Sequence, residues 1–315
     1  MPRRNRMKVV FMGTPDFAVP VLEALIKNHQ VVAVVSQPDK PKGRGKKLQP
    51  TPVKAVAEAN NIPVYQPERI KDDEFTDFLE KIEADIYVVV AYGQLLSQRI
   101  LDIPKYGCVN VHGSLLPKYR GAAPIQWSII NGEEKTGVTI MYMVKKCDAG
   151  DMILKKEIEI EPEDTYETLH DKMAPVGADA LIEALDLIEK GQVNAEKQED
   201  SLSCYASMIT RDMGIIDWSK TSGEIKNKIR GFNPVPAAYT NYGEDILKIF
   251  KADIIEGYDN GEIGEILAVD KKKGFVVKTG DGAVMVTEIQ AKGGKRMNCA
   301  DYMRGHEIKI GEILM

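Results

Sequence analysis

The run Ala84–Ala91 (ADIYVVVA) restricts the fold of this chain more than any other stretch. It is short and nearly all apolar, the pattern of a strand covered on both faces, as in a parallel sheet packed between helices. The flanking sequence agrees. Lys8–Met12 (KVVFM) reads as a first strand, followed by a turn and a helix with Asp16 as N-cap and Pro20 in its tolerant first turn. Gln30–Ser36 reads as a second strand and Pro63–Tyr65 as a third. Thr51-Pro52 opens a helix reaching about Asn60, and Asp72–Ile82 places Phe75, Phe78, Leu79 and Ile82 on a helical period. Strands alternating with helices in this way predict an α/β unit built on a parallel-rich sheet.

The chemistry-bearing stretch follows. Cys108–His112 alternates, so in a strand Asn110 and His112 share one face while Val109 and Val111 take the other. Gly113 and Ser114 then end the strand, and open α/β sheets bind ligands at such strand ends. Pro124–Asn131 reads as a helix, and Thr136–Met143 and Asp151–Ile160 as strands, with Asp148 in the Cys-Asp-Ala-Gly-Asp turn between them. An amide, an imidazole and a carboxylate can thus meet at one sheet edge. An amide donor with a charged imidazole suits an oxyanion, and a carboxylate suits a departing amine proton. That set fits acyl transfer to an amine. The spacing is equally compatible with a satisfied strand-end network that does no chemistry.

Beyond Ile160 the pattern changes. Asp164 and Glu167 have the spacing of a capping box, before an apolar face of Leu169, Met173, Leu181, Leu185 and Ile188, with a break expected at Pro175 and a stop at Gly191. A polar stretch follows, then a short helix over Ser222–Gly231. Strand-like runs come next: 246–252, 262–269, 274–278 and 283–291, with Gly280-Asp281-Gly282 as a hairpin turn. The expected organisation is a sheet domain over 7–191, a linker over 192–209 and a small β-barrel over 210–315.

Composition narrows the function classes. A net charge of −5 over 315 residues argues against a protein coated in basic patches, yet leaves room for local ones. Lys40, Lys42, Arg44, Lys46 and Lys47 cluster beside the single acid Asp39, in a stretch whose glycines and prolines keep it out of regular structure. Lys292, Lys295 and Arg296 surround Gly293-Gly294 at an expected hairpin tip. Each group fits either a solvated loop or a phosphate-contacting one. Four cysteines without a CxxC pair fit reduced thiols in the cytoplasm, and although Cys108 and Cys147 flank the polar trio, buried thiols are the simpler reading and no metal is expected. No run approaches transmembrane length, so no membrane partner is expected. Gly13-Thr14-Pro15 lacks the second and third glycines of a dinucleotide fingerprint, which disfavours a nicotinamide dehydrogenase.

Asn110-x-His112, the string SLLPKYRGAAPI over Ser114–Ile125 and the later Asp148 resemble the 10-formyltetrahydrofolate-dependent formyltransferases. The likeness extends from Lys8 to the C-terminus. It implies a Rossmann-like catalytic domain followed by an OB-like barrel. It also implies catalytic roles for Asn110, His112 and Asp148, and a folate co-substrate with no tightly bound cofactor. Ser114, Leu115, Leu116 and Pro117 would hold the folate, with Phe17, Tyr92 and Gly93 bordering it. The long string is most similar to members whose acceptor is initiator methionyl-tRNA. With that acceptor, Lys40, Lys42, Arg44, Lys46, Lys47, Lys292, Lys295 and Arg296 become candidates for RNA contact, Arg44 foremost. A monomer is the expected state. Amino-sugar and glycinamide-ribonucleotide formyltransferases share the trio but have less use for the basic loop and the barrel. A non-catalytic tRNA-binding protein would leave the trio unexplained.

Overall fold

The computed structural model describes residues 6–42, 47–258 and 260–315. In chain order the strands and helices of the first two-thirds are β1 (Lys8–Gly13), α1 (Val19–Asn28), β2 (Gln30–Val35), β3 (Lys40–Lys42), β4 (Lys47–Gln49), α2 (Pro52–Ala59), β5 (Val64–Tyr65), α3 (Asp73–Lys81), β6 (Ile86–Val90), α4 (Gln98–Leu101), β7 (Cys108–His112), β8 (Arg120–Gly121), α5 (Pro124–Ile130), β9 (Lys135–Tyr142), β10 (Met152–Glu159), α6 (Tyr166–Glu189) and β11 (Tyr205–Ala206). The remainder holds α7 (Ser222–Gly231), β12 (Ala238–Tyr242), β13 (Asp245–Ile255), β14 (Ile266–Asp270), β15 (Gly274–Lys278), β16 (Ala283–Ala291), β17 (Met297–Asn298) and α8 (Cys299–Tyr302).

Two compact units emerge. The first contains Met1–Gly121, Thr136–Ile158 and His170–Tyr205, and the second contains Ala122–Lys135, Glu159–Leu169 and Ala206–Met315. The chain therefore changes unit several times, where the sequence reading divides it once. The reason is visible in α5, which packs on α7 within the second unit although it lies between β7 and β9 of the first unit in sequence.

The first unit is built on a sheet of order β10-β9-β7-β6-β1-β2-β5. The central pairs β1–β2, β1–β6, β2–β5 and β6–β7 are parallel, and β7–β9 is antiparallel. Every residue of β6 is buried, as its unbroken apolar run predicts. Successive strands run outward from β1 in opposite directions, through β2 to β5 on one side and through β6 to β7 on the other. That order reverses between β1 and β6, the kind of crevice where open α/β sheets take their ligands. There the Thr14 hydroxyl donates to the Tyr92 carbonyl at 3.1 Å, joining the loops that leave the two strands. Val10, Met12, Tyr87, Val89 and Cys108 pack in one buried cluster with residues of α3 and α4, which fixes β7 against its neighbours.

Several local expectations need correction. Asp16 does not cap α1; it heads a single 3-10 turn, and its carboxylate accepts from Phe17 N at 3.1 Å. The helix proper starts at Val19, because Pro20 is tolerated only in a helix's first turn. The described ends of the basic stretch are not irregular: Lys40–Lys42 pairs antiparallel with Lys47–Gln49, while residues 43–46 lie outside the described residues. Thr165, not Asp164, caps α6, accepting from Thr168 N at 3.3 Å, while Asp164 accepts from Glu161 N at 2.8 Å. Pro175 does not break α6. Its missing N–H is outweighed by a buried face of Met173, Ala174, Ala178, Leu181 and Leu185 on either side.

The second unit is an antiparallel sheet of order β12-β13-β16-β15-β14, with β17 beside β16. Its core includes Trp218, Ile225, Ile229, Phe232, Phe275, Val277, Val284 and Ile289. The C-terminal residues close it. Met315 exchanges both backbone hydrogen bonds with Asn241 of β12, and Leu314 N and Glu312 O pair with Gly264 and Ile266 at the β14 edge. The two edges of the sheet thereby acquire a common neighbour, the barrel-like closure expected of this region. Strand β12 was not foreseen, because AYTNY is short and only partly apolar. Thr221 and Glu224 form a full capping box on α7.

Candidate active site

Asn110 and His112 lie within the last three positions of β7, and the turn between β9 and β10 brings Asp148 to them. Asn110 Nδ2 donates to Asp148 Oδ1 at 3.4 Å. The amide must face this way round, because an ionised carboxylate only accepts. His112 Nδ1 lies 3.8 Å from the same oxygen, and its Nε2 is 2.8 Å from the Tyr119 carbonyl. His112 is buried at 5% exposure. Asp148 Oδ2 accepts from Gly121 N at 2.9 Å and from the Cys147 thiol at 3.2 Å. Burial, and then the charge of Asp148, push that thiol up to about 11. The expected convergence of amide, imidazole and carboxylate is therefore present at the end of one strand.

Asp148 has φ +49°, the left-handed region that ordinary side chains seldom adopt. Gly150 allows the turn to close: a Cβ there would lie 1.7 Å from the Tyr142 carbonyl oxygen. The conformation is held from outside by Gln198, whose Nε2 donates to the carbonyls of Asp148 and Gly150, each at 2.8 Å. Gln198 Oε1 accepts from Arg120 Nε at 2.9 Å, and Arg120 Nη1 pairs with Asp200 at 2.8 Å. Arg120 is almost wholly buried, at 3% exposure. Asp200 also pairs with Lys146 at 2.7 Å, and these two cations, Lys146 first, hold its carboxyl below the usual range. Cys204 completes the strap: its sulfur accepts from Tyr119 N at 3.2 Å and its carbonyl from Arg120 N at 3.0 Å. Gln198, Asp200 and Cys204 all lie in the stretch read from sequence as a plain linker.

The expected folate residues are distributed unevenly. Ser114 is fully buried and donates to the Lys118 carbonyl at 2.7 Å. Thr139 Oγ1 donates to the Ser114 carbonyl at 2.7 Å and accepts from Leu116 N at 3.1 Å, so one β9 side chain shapes the whole Ser114–Pro117 turn. Leu116 is buried, whereas Leu115 and Pro117 are half-buried. Phe17 is buried and stands 5.3 Å from the His170 ring. Tyr92 is buried, which raises its phenol above the ordinary value, while Gly93 is exposed with φ +90°. The side-chain amide of Gln37 donates to the Tyr92 carbonyl at 3.2 Å.

Of the basic candidates, Lys40 is exposed; Lys42 and Lys47 are paired across the β3–β4 hairpin by their backbones, and Arg44 and Lys46 lie outside the described residues. At its root, Asp39 accepts from Lys54 and Gln66, each at 2.7 Å. In the second unit, Lys295 is exposed, and Lys292 pairs with Asp245 at 2.7 Å. Arg296 is committed internally. It makes two bonds to Glu288, at 2.7 and 2.8 Å, donates to Asn233 at 3.2 Å and sits 4.5 Å over the Phe250 ring. Among the described residues no group of three or more His, Cys, Asp or Glu side chains is placed to hold a metal ion. The Cys108 thiol instead points to the carbonyls of Ile100 and Leu101. No described helix is long and apolar enough to cross a membrane.

Comparison with known proteins bears on this geometry. Residues 7–185 match the family model described as formyl transferase, and residues 208–307 match the one described as formyl transferase, C-terminal domain. The chain is 50% identical over 309 residues to the methionyl-tRNA formyltransferase of Clostridioides difficile (strain 630), covering 98% of this chain and all of that one. It is likewise 50% identical over 309 residues to the protein of that name from Clostridium acetobutylicum, covering 98% and 99%. Among solved structures, an N-formyltransferase from Helicobacter canadensis in complex with folinic acid and dTDP-3-aminofucose superposes with a TM-score of 0.66. It is 22% identical, with 90% of this chain and 99% of that one covered, a likeness of fold.

Proposed function

Since the chain belongs to the formyl transferase family, we propose that it transfers a formyl group from 10-formyltetrahydrofolate to the α-amine of methionine on initiator tRNA. The observation that carries this reading is the convergence of Asn110 and His112 on Asp148 Oδ1, at 3.4 and 3.8 Å. Near-complete coverage of relatives bearing the methionyl-tRNA formyltransferase name supports the choice of acceptor.

The amine attacks the formyl carbon, and the carbonyl oxygen takes on negative charge. Asn110 Nδ2 donates to that oxygen. Asp148 takes the proton that the amine sheds, directly or through one water. His112 stands with Nε2 at the Tyr119 carbonyl and Nδ1 3.8 Å from Asp148, and when protonated it has a donor on each nitrogen. In that form it adds positive charge beside the oxyanion or supplies the proton that folate N10 needs. Collapse of the adduct breaks the carbon–N10 bond and leaves the formyl group on the amine. The folate rests on Leu115, Pro117 and Gly93, the more accessible of the candidate residues. Buried Ser114, Leu116, Phe17 and Tyr92 shape the site from behind. The β3–β4 hairpin, with Arg44 and its neighbouring lysines, grips the tRNA backbone, and Lys292 and Lys295 add contacts from the second unit. The protein acts in the cytoplasm as a monomer, with no tightly bound cofactor.

One assay tests this. The protein is given formylfolate with charged initiator tRNA, uncharged initiator tRNA, charged elongator tRNA or a nucleotide-linked amino sugar. Formylation of the first alone is expected. Formylation of the amino sugar with none of the charged tRNA would move the protein to the sugar branch of the family. Tight tRNA binding without folate turnover would make it a binding protein.

A further inference from the structure

We infer that Gln198, braced by Arg120, is a positioning residue for the reaction: it holds the Asp148 turn in the left-handed conformation that aims the carboxylate at Asn110 and His112. The inference rests on the proposed role of Asp148. The chemistry of the network leaves one orientation for the Gln198 amide. The carbonyls of Asp148 and Gly150 only accept, so the atom facing them is the nitrogen, which offers one hydrogen to each. Arg120 only donates, so the atom facing it is the oxygen. Two donors and one acceptor on a long, flexible stem define glutamine. Glutamate has no donor when ionised, and asparagine is one carbon shorter.

The clamp acts on the backbone of Asp148 rather than on its carboxylate. Left to itself a non-glycine residue favours negative φ, and the alternative carries the side chain away from its present direction. Arg120 fixes Gln198 in turn, because the buried guanidinium is itself anchored by Asp200. Asp200 also reaches Lys146, two residues before Asp148. The segment 198–204 thus touches the acid turn at Lys146, Asp148 and Gly150, and the other side of the site at Tyr119 and Arg120.

Gln198→Glu separates positioning from stability. The new carboxylate keeps an acceptor for Arg120 and adds an ion pair, so the fold is retained. It cannot donate to the two carbonyls and repels them. The expected result is a kcat about 10- to 100-fold below wild type, with the protein folded, its melting temperature near the wild-type one, and little change in either KM. In an Asp148→Asn background the same change should cost almost nothing further, since the group being aimed is already lost. Wild-type kcat in Gln198→Glu overturns the inference, and so does an equal loss in both backgrounds. Should Gln198→Glu fail to fold, Gln198→Met is read by the same cycle; failure of both to fold would make the residue structural and also overturn it. Wild-type protein that does not formylate charged tRNA would count against the proposed function, whereas active wild-type protein with an equally active variant counts against the clamp alone.

Discussion

The side-chain amide of Asn110 points at Asp148 Oδ1 across 3.4 Å, a long hydrogen bond between the proposed oxyanion donor and the proposed base. A bond of that length is weak and easily exchanged. The amide can leave the carboxylate for a substrate oxygen without a large cost, and the carboxylate keeps Gly121 N and the Cys147 thiol as partners when it does.

Removing the amide should therefore cost rate rather than structure. Asn110→Ala is expected to lower kcat about 10²- to 10³-fold, with a melting temperature near wild type. Steady-state kinetics and a thermal melt of the same preparation check it.

His112 and Asp148 should behave as one unit. Asp148→Ala and His112→Ala are each expected to lower kcat about 10²- to 10⁴-fold. The double variant should fall little further, because each residue depends on the other's charge and placement. Independent, multiplying losses would mean that the 3.8 Å approach between them has no catalytic meaning.

The two arginines of the basic regions should part company. Arg44→Ala is expected to raise the KM for tRNA and to reduce the slope of log affinity against log salt by about one. Arg296→Ala should instead lower stability by about 1 kcal/mol, since its guanidinium is spent on Glu288, Asn233 and the face of Phe250. Filter binding across a salt series, with melts alongside, separates the two.

The Cys147 thiol carries a pH signature. The folded protein keeps its proton up to about 11, whereas an unfolded chain releases it near the ordinary thiol value. The folded state thus binds more protons in that window, so stability is full below the ordinary value and falls as pH rises toward 11. Cys108 and Cys299, pushed up to about 12 by burial, act in the same direction. Denaturant titrations of wild type and Cys147→Ala at increasing alkaline pH should show a shallower decline in the variant.

Gly150 should be intolerant of any side chain. Gly150→Ala sets a Cβ 1.7 Å from the Tyr142 carbonyl oxygen, backbone that cannot step aside. A loss of about 1 to 3 kcal/mol is expected, with activity falling further than stability because the Asp148 turn must shift. A near-neutral Gly150→Ala would mean that β9 yields at this point.

What was legible in the sequence is local. The apolar run of β6, the Thr51 cap, the Ser222–Gly231 helix and the Cys108–His112 strand each depend on a few neighbouring residues, and each appears as expected. The convergence of Asn110 with Asp148, with β8, α5 and β9 between them, follows from the family resemblance and not from spacing. Arg120, Gln198 and Cys204 were not legible, since their partners stand 48 or more residues away, and a polar stretch such as NAEKQEDSLSC carries no periodicity to betray them. Thr139 escaped for a related reason: one hydroxyl inside a strand gives no sign that it will shape a turn 23 residues earlier. The Asp16 and Asp164 caps failed by a residue or a few, where prolines and competing threonines decide the first helical turn.

The strap formed by 198–204 bears on how far this chain can be shortened. A fragment cut at 185 or 191 would still carry Asn110, His112, Asp148 and the whole seven-stranded sheet. It would nonetheless lose the Gln198 clamp on the backbone of the acid turn and the Asp200 partner of the Arg120 guanidinium. The smallest self-sufficient piece must run past Cys204, so any dissection or fusion that treats the sheet as a free-standing module should take its far boundary from these contacts rather than from the end of α6.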